Sequence, residues 1–243
     1  MDMLDEDSRK NILGVKVDNL SRLEILAKAE SFLGESKLYQ IATVNPEFIL
    51  EAERNDKFRE ILNSCDLNVA DGMGIRFAFW RYGKRLKCRM AGVDLMLEIM
   101  KMAEKNNLSV FLAANKDGLS TWLETREAIL KIHPKLDISG ADLNKADSLY
   151  QIPDTKYQIL FCNFGAPHQE LFINSVKSDT IRLSMGVGGA FDFLTGKAKR
   201  APLFLRRLGL EWLWRLILQP WRIKRIFNAV IVFPVKVILC KEK

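Results

Sequence analysis

The segment LNVADGMGI, residues 67–75, decides the fold. Leu67 to Ala70 is a short apolar run, as in a strand buried on both faces. It passes directly into Asp71-Gly72-Met73-Gly74, and a helical pattern follows from about Ile75 to Tyr82. A strand that turns through glycines into a helix is the repeating unit of an α/β sheet. The same unit recurs on both sides. Toward the N-terminus, Ile12–Val17 reads as a strand, and Ser21 with Glu24 forms a capping box for a helix reaching about Phe32, stopped by Gly34. Leu38–Val44 is a strand, followed by helices at Glu47–Asn55 and Asp56–Asn63. Toward the C-terminus come a helix at Gly92–Lys105, a strand at Ser109–Ala114, a helix at Leu119–Ile132 and a short strand at Leu136–Ser139. A strand at Lys156–Asn163, a helix at His168–Ser175 and a strand at Ile181–Val187 complete the series. The alternation predicts an α/β fold with a doubly wound sheet.

In such a sheet, ligands bind beyond the carboxyl ends of the strands. Polar or glycine-rich residues stand at four of those ends: Thr43 and Asn45; Asp71 and Gly72; Asn163, Gly165 and Gln169; Gly186, Gly188 and Gly189. Any one of them is an ordinary βα turn, whereas four in one sheet point to a shared pocket. Asp71 reads either as a helix N-cap or as a carboxylate whose partial desolvation makes it a better base. Arg89 reads either as a solvated loop cation or as a partner for phosphate oxygens. The glycines at 186–189 serve close packing or let backbone amides approach a phosphate. His168 reads as a surface histidine. There is no Walker A sequence, and no Asp-x-Asp pair suits a nucleotide-bound divalent metal. The four cysteines form no CxxC pair, and the two histidines lie far from them, so reduced thiols and no metal cofactor are expected.

A chain of 243 residues buries a full core without staples. Its net charge of +7 is local. Residues 197–243 carry 12 Lys/Arg against two acids, while residues 1–196 carry 25 bases and 28 acids. We therefore divide the chain into a body, 1–196, and a basic appendage, 197–243. Pro202–Leu218 reads as one amphipathic helix, with Leu203, Leu210, Trp214 and Ile217 on one face and Arg207, Glu211 and Arg215 on another. Pro220 interrupts it, and Trp221–Val232 resumes the pattern with Arg222 and Arg225. Tryptophans beside arginines suit an anionic membrane surface. A helix packed on its own domain, or a nucleic-acid surface, is the competing use. The near-neutral body argues against nucleic acid. An apolar tail also offers a surface for a homo-oligomer. The acidic stretch Met1–Lys10 has no apolar core and is not read as a signal peptide. The apolar run Ile226–Leu239 is too short to span a bilayer.

The segments TVNPE (43–47), ADGMGI (70–75), RMAGVDL (89–95), GAPHQE (165–170) and GVGGAFD (186–192), followed by KRAP (199–202) and RRLGLEWLWR (206–215), resemble in order the WecG/TagA/CpsF glycosyltransferases, from about Ile12 to Arg225. The resemblance implies a Rossmann-like core of the GT-E type and an inverting enzyme. Such enzymes move a sugar from a UDP-sugar onto a polyprenyl-diphosphate-linked sugar at the inner face of the cell membrane, as peripheral cytoplasmic proteins. The best-described type transfers N-acetylmannosamine to undecaprenyl-diphosphate-linked N-acetylglucosamine in wall teichoic acid synthesis. It also implies Asp71 as base, Thr43, Asn45, Arg89 and Gln169 as substrate contacts, and Arg215, Arg222 and Arg225 as arginines that close over the lipid diphosphate and leaving group. Asn115-Lys116 stands where the family usually has Gly-Gly, His168 replaces a usual lysine, and Asn163-Phe164 precedes Gly165 where a small aliphatic is commoner. These departures bear on donor choice, and N-acetylmannosaminuronate, glucose or glucuronate donors are the alternatives.

Overall fold

The structure, a computed structural model, describes residues 8–145, 152 and 156–240. Most of the acidic N-terminal stretch and the last three residues of the basic tail lie outside the described residues. Eight strands form one sheet in the order β1-β2-β4-β3-β8-β7-β5-β6. They are β1 (Arg9–Ile12), β2 (Val15–Asp18), β3 (Tyr39–Val44), β4 (Leu67–Ala70), β5 (Ser109–Asn115), β6 (Asp137–Leu143), β7 (Ile159–Cys162) and β8 (Leu183–Gly186). Every pairing is parallel except β1 with β2.

That exception corrects the reading of Ile12–Val17 as one strand. Leu13 and Gly14 both have positive φ, 49° and 89°. Two successive left-handed residues make the tight turn of a hairpin, so the alternating segment folds back on itself. The Leu136–Ser139 strand is also longer than read, because β6 pairs with β5 along its whole length to Leu143.

Helices cover both faces, and strand residues divide between them with period two. One face buries Ile41, Leu67, Val69, Val110, Leu112, Phe161 and Met185. It lies under α1 (Arg22–Gly34), α5 (Gly92–Lys105), α6 (Trp122–Leu130) and α8 (Ala190–Leu194). The opposite face lies under α2 (Pro46–Ala52), α3 (Asp56–Ser64), α4 (Met73–Arg81) and α7 (His168–Ser175). The capping box of α1 forms as read: Ser21 Oγ accepts from the Glu24 amide and the Glu24 carboxylate accepts from the Ser21 amide at 2.7 Å.

The C-terminal segment departs from its expected single helix. Pro202–Leu218 splits into α9 (Leu203–Leu208) and α10 (Glu211–Leu218). Gly209 between them sits at φ 76°, and a Cβ there would come within 2.2 Å of Met73. The break is thus a left-handed corner resting on the start of α4, and it separates Arg207 from the stripe read with Glu211 and Arg215. Leu203 and Ile217, read on the apolar face of that helix, are exposed. After a short 3₁₀ turn at Pro220–Arg222, α11 (Ile223–Phe227) runs through a π-helical turn (Asn228–Val232) into α12 (Phe233–Leu239). Pro234 lies at the start of α12, directly after the π-helical turn. Phe233 and Val237 are fully buried in the core formed by α2, α3 and α4. No helix among the described residues is long and apolar enough to cross a membrane.

Candidate active site

A cavity of about 570 Å³ opens at the carboxyl ends of β4, β3, β8, β7 and β5. These strands are consecutive in the sheet. One wall comes from their loops: Thr43, Asn45, Asp71, Asn115, Asn163, Gly165, Gln169 and Gly186–Gly189. The other comes from the C-terminal segment, which contributes Trp212, Trp214, Arg215, Arg222 and Arg225. The strand-end residues singled out from the sequence and the three arginines of the C-terminal segment therefore line one cavity. The exception among the candidates is Arg89. It lies outside that lining, donates to the Arg206 carbonyl oxygen at 3.1 Å and pairs with Glu211 at 3.7 Å. In this structure it holds the corner between α9 and α10 against the core.

Asp71 directly follows β4. Its amide donates to the Val44 carbonyl at 2.8 Å, which ties the end of β4 to the end of β3. The N-cap of α4 is Gly72, not Asp71, and it caps with no side chain. The carboxylate is therefore not occupied in capping. Burial pushes its pKa up to about 6. The positive charge of Arg215 opposes the shift, Glu211 adds to it, and Arg89 and the Gly72 amide oppose it. A carboxyl balanced in this way takes up a proton near neutrality.

The neighbouring residues are more constrained. Thr43 is buried at the end of β3. Asn45 caps α2, with its Oδ1 accepting from the Phe48 amide at 3.1 Å. Gln169 is only 2 % exposed. Its Oε1 accepts from the amides of Gly165 and Gly188 at 3.1 and 3.0 Å, joining the loop after β7 to the loop after β8. The Gly188 amide, one of those read as free to approach a phosphate, is thus already engaged. Gly186 answers to packing: a Cβ there would come within 2.4 Å of Gln169 Nε2 and 2.7 Å of Glu170 Oε1. Across the sheet, the Asn115 amide donates to Asn163 Oδ1 at 2.6 Å and fixes the spacing of the β5 and β7 loops. His168 is exposed at the start of α7.

The arginine wall is differently made. Arg215 lies over the Phe193 ring at 5.5 Å. Arg225 pairs with Glu47, its Nε donating to Oε2 at 2.9 Å. Arg222 is half-buried, and its pKa is pushed below the ordinary value first by burial and then by the charges of Arg225 and Arg215. Three guanidiniums line this cavity, an arrangement chemically suited to a multiply charged anion. Glu47, Glu211 and Asp192 also take part, and the sequence reading assigned none of them to the site. Arg225 and Glu47 are 178 residues apart in the chain, so no spacing rule joins them. Asp192 accepts from Ser120 Oγ at 2.8 Å and lines the cavity beside the arginines. Among the described residues, no group of three His, Cys, Asp or Glu side chains is arranged to hold a metal.

A family profile described as "Glycosyl transferase WecG/TagA/CpsF family" matches residues 10–243. The chain is 34% identical over 193 residues to the N-acetylglucosaminyldiphosphoundecaprenol N-acetyl-beta-D-mannosaminyltransferase of Bacillus subtilis (strain 168), covering 77% of this chain and 75% of that protein. It is 30% identical over 246 residues to the protein of the same name from Staphylococcus aureus (strain MRSA252), covering 97% of this chain and 94% of the relative. A third, from Bacillus spizizenii, is 31% identical over 204 residues, covering 82% of this chain and 78% of the relative.

Proposed function

Since the chain belongs to the WecG/TagA/CpsF glycosyltransferase family, we propose that it transfers N-acetylmannosamine from a UDP-sugar to N-acetylglucosamine carried on undecaprenyl diphosphate. The names of its relatives supply the acceptor and the transferred sugar. The geometry supports the chemistry. A carboxyl with a pKa of about 6 and three converging arginines face one another across a single cavity. In this reading the parallel sheet is a Rossmann-like core of the GT-E type, residues 1–196, and residues 197–243 are the appendage that completes the site.

Asp71 accepts the proton from the acceptor hydroxyl as its oxygen bonds to the anomeric carbon. The bond from that carbon to the UDP oxygen breaks on the opposite side, inverting the centre. Negative charge develops on the departing diphosphate, and Arg215, Arg222 and Arg225 stabilise it. Arg89 acts one step removed, by holding Glu211 and the α9–α10 corner. This assignment needs no metal cofactor. The exposed Trp221, Phe227, Ile231 and Ile238 form the apolar side of the appendage. We assign that side to an anionic bilayer at the cytoplasmic face, where the lipid acceptor resides. In the absence of lipid the same surface would support self-association.

A panel of UDP-sugars incubated with a short-chain lipid-diphosphate N-acetylglucosamine, read by mass spectrometry, tests the proposal. The expected product is heavier by one N-acetylhexosamine and forms only with UDP-N-acetylmannosamine. Product from a uronate or glucose donor would reassign the sugar. No transfer from any donor, with salt-sensitive retention on DNA instead, would reassign the protein to nucleic acid.

A further inference from the structure

The mechanism leaves one buried acid without a role. Glu170 follows Gln169 in the first turn of α7 and is 1 % exposed. Its Oε1 accepts from Gln169 Nε2 at 2.7 Å. A primary amide has two unlike ends. With an acceptor on one side and the Gly165 and Gly188 amides on the other, only one orientation satisfies every partner. A reversed Gln169 would set N–H against two backbone N–H groups and its oxygen against Glu170. Removing the Glu170 acceptor strands Gln169 Nε2 in a buried site and leaves the two glycine amides as the only groups that favour this orientation.

We propose that Glu170 is a positioning residue for the transfer reaction: it fixes the rotation of the Gln169 amide, and through it clamps the loop after β7 to the loop after β8 along the cavity wall. Gly186 is the third part of this device, since any side chain there would collide with both members of the pair. The inference rests on the cavity being the transferase site.

The protonation state of Glu170 gives the clamp a signature. Its Oε2 has no hydrogen-bond partner among the described residues. An ionised carboxylate in that position would carry an unsolvated charge, and burial pushes its pKa up to about 8. The ionisable groups whose fields involve Glu170 are the thiols of Cys65 and Cys162, both pushed up by burial and so neutral over the same range. α7 also packs on α3, β8 and β3. On α3 the charged side chains of Asp56, Lys57 and Glu60 are exposed, and Arg59 pairs with Asp56. The β8 and β3 residues on this face, Ser184, Gly186 and Gln40, are uncharged. Glu170 is thus neutral at neutral pH, and raising the pH through about 8 puts a charge beside the clamp.

The test uses the full-length protein and compares Glu170→Gln, Glu170→Leu and wild type. Glu170→Gln keeps an acceptor oxygen of the same shape and cannot ionise. It should retain kcat/KM within about threefold at pH 7 and lack the fall in kcat/KM expected of wild type above about pH 8. Glu170→Leu should lose about tenfold or more in kcat/KM and show faster hydrogen exchange at the Gly165 and Gly188 amides. An alkaline fall unchanged in Glu170→Gln, or a folded Glu170→Leu with wild-type kcat/KM, overturns the proposal. If Glu170→Leu does not fold, the Glu170→Gln pH profile decides alone. If wild type transfers no sugar at all, the proposed function has failed instead. The exchange rates of the two glycine amides then judge the clamp by itself: unchanged rates in Glu170→Leu reject it.

Discussion

The two walls of the cavity are built on opposite principles. Along the strand ends, polar side chains are buried or half-buried and mostly engaged with backbone: Asn45 caps a helix, Asn163 and Gln169 bridge loops, and the Asp71 amide ties the end of β4 to β3. On the C-terminal wall, no residue of α9 or α10 is buried. Its arginines are exposed or half-buried, and large apolar side chains such as Trp221 and Ile217 face outward. The first wall is satisfied within the protein, so it is preorganised. The second has charge and apolar surface that the protein leaves uncovered, which is why the proposed function gives this wall external partners, an anion and a bilayer.

The largest expected effect is on the preorganised wall. Asp71→Asn should lower transfer about 100-fold or more at pH 7 without unfolding the protein. Because the carboxyl is ionised only above about pH 6, wild-type kcat/KM should rise through that pH, and the variant should lack the rise. A variant that keeps a tenth of the wild-type rate would remove the base from this wall. Next comes the joint between the walls. Phe233→Ala empties a fully buried site and should cost about 3–5 kcal/mol. A melting-temperature drop on the order of 10 °C measures it. Unchanged melting would mean that α12 is not part of the core. Truncating the appendage would also strip Phe233 and Val237 from the core of the body.

A smaller effect is expected on the second wall. Arg222→Ala should lower kcat about tenfold, less than the loss of a sole preorganised donor, because Arg215 and Arg225 remain at the developing diphosphate charge. Its melting temperature should be unchanged or slightly raised, because a cation strained by burial and by two neighbouring arginines is lost. A fall in stability equal to that of Phe233→Ala would show that this wall, too, is internally satisfied. The smallest effect is at the Glu47–Arg225 pair. Glu47→Gln should change stability by no more than about 1 kcal/mol, as exposed ion pairs do.

The α/β alternation, the capping box at Ser21 and the strand-end positions of Thr43, Asp71, Gln169 and Gly186 were legible because they follow from local spacing. Period-two apolar runs and glycine-rich turns carry that information residue by residue. The hairpin at Leu13-Gly14 was hidden because alternation alone does not reveal a reversal when the turn contains a leucine. The break at Gly209 was hidden because one glycine inside a helical pattern is usually tolerated, and its cause, Met73, lies far away in the chain. The engagement of Arg89 by Glu211, Arg225 by Glu47 and Gln169 by Glu170 was not legible as function. In the first two pairs the partners meet only after the segment folds back, and in the third adjacent residues meet only because Gly186 leaves room for both.

The sequence by itself determined which residues end the strands, and therefore which side chains can meet at one edge of the sheet. Only the tertiary structure decided which of those groups remain available to a ligand, because hydrogen-bond and ion-pair partners are chosen by proximity in space. Arg89 and Gln169 resemble Asp71 and Arg222 as candidates in the sequence. Packing ties Arg89 to Glu211 and engages both ends of the Gln169 amide, whereas Asp71 and Arg222 line the cavity without such a side-chain bond.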